Sequence, residues 1–322
     1  MNKITKTLLI LAAVSACALA GVMLYATQIG NGNLPAADPK GYTTIEANGL
    51  SFAVDIRGDK TGTPVILLHG FPESAVMWDK FMDELTAKGY YAIAPNQRGY
   101  SAGARPDDVE QYQLKYLTSD VIAIADQLEL KQFHLIGHDW GAAVGWQVAA
   151  ENPDRVISYA AISVPHIDAF GKAYREDTAQ FESSAYIRFF QKPILPEFMM
   201  AKSDYERLRS IWSQHDAAEI EHYVGILGQE KALTSAINWY RANFAVFTNG
   251  LDVGKVNVPV TFIWGNQDHA LKRSGVDDTK NYVEADYKFI EMDAGHWIIQ
   301  EKYQELTGHL LDHLAKYRQV SI

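Results

Sequence analysis

From residue 41 onward, short apolar runs alternate with segments of helical spacing. Val65–Leu68, Tyr91–Ala94, Phe133–Ile136, Ile157–Ile162, Val260–Trp264 and Lys288–Met292 have the length and residue types of buried strands. Ala75–Lys88, Tyr116–Leu128 and Gly141–Glu151 carry helical spacing between them, and Tyr303–Tyr317 follows the last strand. Tyr42–Asp55 alternates on either side of Asn48-Gly49, which predicts a hairpin. Strands alternating with helices predict an α/β fold, a mostly parallel central sheet flanked by helices. Between 165 and 255 the alternation stops. That stretch is rich in aromatics and helix formers, and it predicts a helical lid inserted over the sheet's C-terminal edge, where open α/β sheets bind ligands. The core is then split into 41–164 and 256–322.

The first 27 residues break this pattern. Lys3 and Lys6 precede an uncharged apolar run, Leu8–Ala26. A cleavable signal has an apolar core of roughly 7–15 residues and a spanning helix needs about 18, so the run sits on the longer side. Three readings remain: cleavage after Ala18-Leu19-Ala20, a lipid on Cys17, or an uncleaved membrane anchor. The apolar residues Val22, Met23, Leu24 and Tyr25, beyond both cleavage sites, favour the anchor. Each reading places the rest of the chain outside the cytoplasm, periplasmic or membrane-anchored, because the positive end stays inside. Residues 28–40, with Gly30, Gly32, Pro35 and Pro39, are expected to be a flexible linker.

Composition narrows the chemistry. The 322 residues are 48% hydrophobic and 21% charged, an ordinary globular balance, with 29 basic and 39 acidic side chains for a net charge of −10. That charge is poorly suited to neutralising phosphates, which argues against nucleic acid as a partner. The single cysteine excludes intramolecular disulfides and cysteine-rich zinc sites.

The strand Phe133–Ile136 runs into Gly137-His138-Asp139-Trp140-Gly141 and then a helix. Strand, sharp turn and helix with flanking glycines form a nucleophile elbow, and the residue at its tip is Asp139. A carboxylate attacking a saturated carbon makes an alkyl ester, which water can hydrolyse at the carboxylate's own carbon; a serine would make an inert ether. Asp139 therefore points to an sp³ carbon bearing a leaving oxygen or halide. Gly99-Tyr100-Ser101-Ala102-Gly103 also matches G-x-S-x-G, but Arg105, Pro106, Asp107 and Asp108 follow where a helix should start, so Ser101 is expected to be a loop residue. His69-Gly70-Phe71-Pro72 follows the Val65–Leu68 strand. An elbow draws one oxyanion-hole amide from this loop and one from the residue after the nucleophile, here Phe71 and Trp140. His69 is expected to organise that loop.

Ten histidines compete to be the base. His296 directly follows the strand Lys288–Met292, and Asp268 follows Val260–Trp264, giving the order nucleophile, acid, histidine. Asp268 would fix the imidazole tautomer and stabilise its cation. Asp293 adjoins His296 too closely in sequence to orient it. His309 and His313 lie one turn apart on the last helix and are expected to be surface residues, and no metal site is expected. His138 should project away from the nucleophile.

These motifs resemble the α/β-hydrolase-fold epoxide hydrolases. The resemblance rests on His69-Gly70-Phe71-Pro72, Gly137-His138-Asp139-Trp140-Gly141, Asp268 and Gly295-His296-Trp297, and spans the chain from about residue 40 to its end. Asn96 departs from the family's usual aspartate in a loop that supports the fold. The family uses two lid tyrosines to protonate the epoxide oxygen. Tyr186-Ile187-Arg188-Phe189-Phe190 is similar to the first lid motif and Asn238-Trp239-Tyr240-Arg241 to the second, which implies Tyr186 and Tyr240 as the acids. Trp140, Phe189 and Trp297 are expected against the substrate. The resemblance implies a small epoxide as substrate, a vicinal diol as product and no cofactor. Two alternatives share the scaffold: a haloalkane or haloacid dehalogenase, and a non-catalytic small-molecule binding protein. Phe71 stands where a halide-binding asparagine would lie, and Trp140 where a fluoroacetate-type enzyme has arginine.

Overall fold

The computed structural model describes residues 17, 18 and 20–318. Eight strands form one sheet: β1 (Thr43–Ala47), β2 (Leu50–Arg57), β3 (Thr63–Leu68), β4 (Tyr90–Pro95), β5 (Phe133–His138), β6 (Val156–Ile162), β7 (Val260–Gly265) and β8 (Tyr287–Met292). Their spatial order is β1-β2-β4-β3-β5-β6-β7-β8. β1–β2 and β2–β4 are antiparallel, and every pairing from β4 through β8 is parallel. The expected hairpin is β1–β2, where Asn48 (φ 52°) and Gly49 (φ 73°) supply the two positive φ angles of a two-residue turn that matches strand twist. β4, β5 and β7 are buried along their whole length because helices cover both faces.

The four expected helices are present as Ala75–Ala87 (a 3₁₀ turn running into an α-helix at Asp79), Leu114–Gln127, Trp140–Glu151 and Tyr303–Lys316. Trp140–Glu151, behind β5, is buried on every side from Trp140 to Ala149, as its lack of a polar face demands. Between β6 and β7 the chain forms only helices, from Ile167 to Asn249, over the C-terminal ends of the parallel strands. The helix Leu195–Ile211 in this insertion is broken at Lys202–Tyr205. Buried polar contacts fasten the insertion to the core: the Trp239 indole donates to the Arg98 carbonyl (2.9 Å), and the Tyr112 and Ser235 hydroxyls hydrogen-bond at 2.8 Å.

The stretch 28–40, expected to be a flexible linker, is instead held against the insertion. Asn33 and Leu34 donate backbone hydrogen bonds to the Gly228 carbonyl, Lys231 donates to that of Asn31, and the Gln229 amide pairs with both backbone groups of Ala37. The turn at 228–231 offers unpaired backbone groups, and these residues satisfy them. Of the expected signal or anchor, residues 1–16 and 19 lie outside the described residues. Residues 20–30 are helical, with Ala26 buried and Val22, Met23, Leu24 and Tyr25 exposed. Among the described residues no helix is long and apolar enough to cross a membrane.

His313, expected on the surface, is buried against β7, where its Nδ1 lies 2.8 Å from the Thr261 hydroxyl. Burial holds its pKa down at about 3, so it is a neutral core residue. Its amphipathic helix turns that face inward, which histidine's polarity conceals in the sequence.

Two glycines separate packing from propensity. A Cβ on Gly141 would land on the Leu68 carbonyl, whereas one on the exposed Gly308, within Tyr303–Lys316, would meet nothing within 4 Å. Gly141→Ala is expected to destabilise by about 3 kcal/mol through overpacking. Gly308→Ala is expected to stabilise by about 1 kcal/mol from helix propensity. Urea unfolding of both variants checks the pair.

Candidate active site

Asp139 stands between the end of β5 and the first turn of Trp140–Glu151, at φ 53° and ψ −123°. Few non-glycine residues occupy such a conformation, and its strain is held by the packing around it. A Cβ on Gly137 would strike the Gly141 carbonyl, and one on Gly70 would strike the Asp139 side chain. The glycines are therefore what allow strand, helix and the loop after β3 to converge on one carboxylate. Ser101, by contrast, is fully buried, accepting from the Ala53 amide (2.9 Å) and donating to the Asn96 carbonyl.

Two groups meet at the Asp139 carboxylate, and a third orients one of them. The Phe71 backbone amide donates to Oδ1 at 2.7 Å. Nε2 of His296 lies 3.3 Å from Oδ2, and its Nδ1 lies 2.7 Å from Oδ2 of Asp268. Asp268 is anchored in turn by the backbone amides of Ala270 (2.7 Å) and Leu271 (3.0 Å). Burial pushes the Asp268 carboxyl up, but His296 and these amides more than reverse this and hold it below its ordinary value. Burial likewise pulls the His296 imidazole down, yet Asp268 and Asp139 outweigh it and raise the pKa well above 6.5. The imidazole thus sits between two carboxylates, whose charges favour its protonated form. His69 has a different part: its Nε2 accepts from the Gln97 amide (3.1 Å), and burial lowers its pKa to about 4. It is a neutral brace for the Phe71 loop.

Asp139 opens into a cavity walled by Trp140, Ala143, Val164, Ile167, Phe170, Ile187, Phe247 and Leu271, with Tyr186, Tyr240 and Asn243 as its other polar residues. The Asn243 side chain is consumed by the backbone of Leu114, Tyr112 and Trp239. Tyr186 and Tyr240 come from two separate helices of the insertion, with ring centroids 5.8 Å apart. Burial, then Asp139, raises both phenols well above 10, so both are protonated at neutral pH. Trp140 packs edge-on to Tyr240 (5.2 Å).

Two expected substrate contacts lie elsewhere. Phe189 packs on Phe190 (5.9 Å) outside the cavity lining. At about 100° per residue, Phe190 stays nearer the Tyr186 face than Phe189 does, and Phe190 is the one that meets Phe71 (5.4 Å) and Tyr240 (4.9 Å). Trp297 is also outside the lining and packs on His296 instead, with the ring centroids 4.9 Å apart. The sequence reasoning passed over Phe170, Phe247 and Asn243. It also passed over Glu73, whose one signal was its place directly after the His69–Pro72 loop.

The electrostatics predict a coupled titration. Asp139→Asn removes one of the two carboxylates that raise His296, so the imidazole pKa is expected to fall relative to wild type. An NMR titration of the His296 ring in both proteins checks the direction.

Comparison with known proteins agrees with this geometry. Residues 63–303 match the family model described as alpha/beta hydrolase fold. The chain is 31% identical over 279 residues to the AB hydrolase superfamily protein YfhM of Bacillus subtilis (strain 168), covering 84% of this chain and 96% of that protein. It is 30% identical to Epoxide hydrolase 3 of Xenopus tropicalis, covering 86% and 78% respectively. Among solved structures, the inhibitor complex of Bacillus megaterium epoxide hydrolase superposes with a TM-score of 0.78 at 26% identity, over 85% of this chain and all of that one. The nucleophile elbow, the inserted helices and these relatives together identify the chain as a member of the epoxide hydrolases of the α/β-hydrolase fold.

Proposed function

We propose that this enzyme converts an apolar epoxide to a vicinal diol through an ester on Asp139. The observation that carries the reading is a carboxylate held between a backbone amide and the His296 imidazole, facing a largely apolar cavity that also presents two tyrosines. Asp139 attacks a ring carbon, the carbon–oxygen bond breaks toward oxygen, and Tyr186 or Tyr240 gives the forming alkoxide a proton.

The charge then moves. Once esterified, Asp139 is neutral, and its contribution to the raised pKa of His296 and of both phenols disappears. The phenols become stronger acids as the alkoxide develops, and His296 becomes able to shed its proton, which returns through solvent to the phenolate. Neutral His296 takes a proton from water as it adds to the ester carbonyl carbon. The amides of Phe71 and Trp140 stabilise the resulting oxyanion. Collapse releases the diol, whose oxygen takes the proton left on the Asp139 carboxyl, and the starting protonation is restored. Asp268 keeps the imidazole oriented throughout.

His296→Gln is expected to accumulate an adduct whose mass increase equals that of the epoxide, while Asp139→Ser forms no hydrolysable ester and does not turn over. Lowering the pH should also make the wild-type ester build up in an acid quench, because hydrolysis alone needs the neutral base. Tyr186→Phe and Tyr240→Phe should each slow ester formation, by about a hundredfold. Styrene oxide and a bromoalkane assayed in parallel test the reaction class: diol without bromide supports it, and bromide without diol makes the enzyme a dehalogenase.

A further inference from the structure

A buried polar chain links the insertion to the proposed base. Glu73 is fully buried. Its Oε2 lies 3.2 Å from Nδ1 of His138, and Nε2 of His138 donates to the backbone carbonyl of His296 at 2.9 Å. The other carboxylate oxygen, Oε1, accepts from Nε2 of His215 (2.9 Å) and from the Gln300 amide (2.8 Å). Burial alone would push the Glu73 carboxyl up, but the hydrogen bonds from His138 and His215 hold it at about 2. His215 belongs to the insertion, in the turn between the helices Leu195–Ile211 and Ala217–Leu227. Its side chain is wholly buried, 5.5 Å from the Trp297 ring, and its Nδ1 has no partner among the described residues, which leaves Nε2 as the donor to Glu73. Two more groups of the insertion border this carboxylate: Tyr223, whose hydroxyl donates to Glu219, and Glu219, which also accepts from Gln300 (3.2 Å).

We propose that His215 is a positioning residue for ester hydrolysis: seated on Glu73, it holds His138 and through it the loop that carries His296. The base is then set for water activation only while this part of the insertion rests on the core. The contrast with its sequence neighbour supports a role beyond fastening. Asp216 already ties the same turn to the core through Lys80 at 2.8 Å, with both side chains largely in solvent. That surface pair does not touch the chain leading to His296. A buried imidazole on a buried carboxylate transmits position, because neither group can move without leaving a polar atom unpaired. The inference rests on His296 being the base.

The test is single-turnover kinetics with styrene oxide, following ester formation and decay separately by acid quench and mass spectrometry. His215→Phe keeps the ring and removes the donor, His215→Gln returns an amide nitrogen to the position of Nε2, and Lys80→Ala loosens the same turn away from the chain. Expected are decay slowed roughly tenfold to a hundredfold in His215→Phe with formation unchanged, recovery of most of that rate in His215→Gln, and both rates unchanged in Lys80→Ala. Decay at the wild-type rate in His215→Phe overturns the proposal, as does equal slowing of formation and decay. Should His215→Phe fail to fold, His215→Asn against His215→Gln decides, since only the longer amide reaches Glu73; equal decay rates in those two also overturn it. An ester that accumulates in His296→Gln while decay is unaffected by His215 sinks this inference alone. No ester in His296→Gln sinks the mechanism with it.

Discussion

Everything at this site follows from how closely β5, the helix behind it and the loop after β3 approach one another. Gly70, Gly137 and Gly141 each stand where a single added carbon would collide with backbone or with Asp139 itself. That approach holds Asp139 at φ 53° and sets the Phe71 amide 2.7 Å from its carboxylate. The local strain is balanced by a helix buried on all sides and by parallel strands buried on both faces. A rigid scaffold thus keeps one acidic side chain at the wall of the cavity.

The second organising fact is the distribution of charge. Asp139 and Asp268 share one imidazole between them, and both tyrosines feel the charge of Asp139. Neutralising one carboxylate retunes three other groups at once, so in the proposed mechanism the first half-reaction prepares the second. In that mechanism the insertion supplies the acids and the core supplies the nucleophile and base. The site is complete only where the two meet.

Much of this was readable in the amino-acid order, because it depends on local signals. Asn48-Gly49 announced its hairpin, and the apolar runs marked six parallel or edge strands to within a residue or two. The glycines around Asp139 are a demand of backbone packing, written directly in the chain. What stayed hidden depends on which way a helix is turned. Phe189 and Phe190 are equally apolar, and only the packed rotation of their helix makes Phe190 the neighbour of Tyr240. His313 looks like a surface residue until β7 covers it. The Glu73 cluster draws on positions 73, 138, 215 and 300, which no spacing rule would bring together. The segment at 31–37 has the composition of a linker, and its fixed path comes from the unpaired backbone of a distant turn.

That last segment changes the mechanics of the insertion. A flap joined to its base only at the exit from β6 and the entry to β7 would be hinged along one edge and free to swing as a plate. Here the backbone around Asn31–Leu34 clasps it at 228–231, well away from that edge. A plate pinned on two sides does not swing; it can only flex between its supports. Tension applied to the chain ahead of residue 31 would then be felt at the insertion before it reached the sheet.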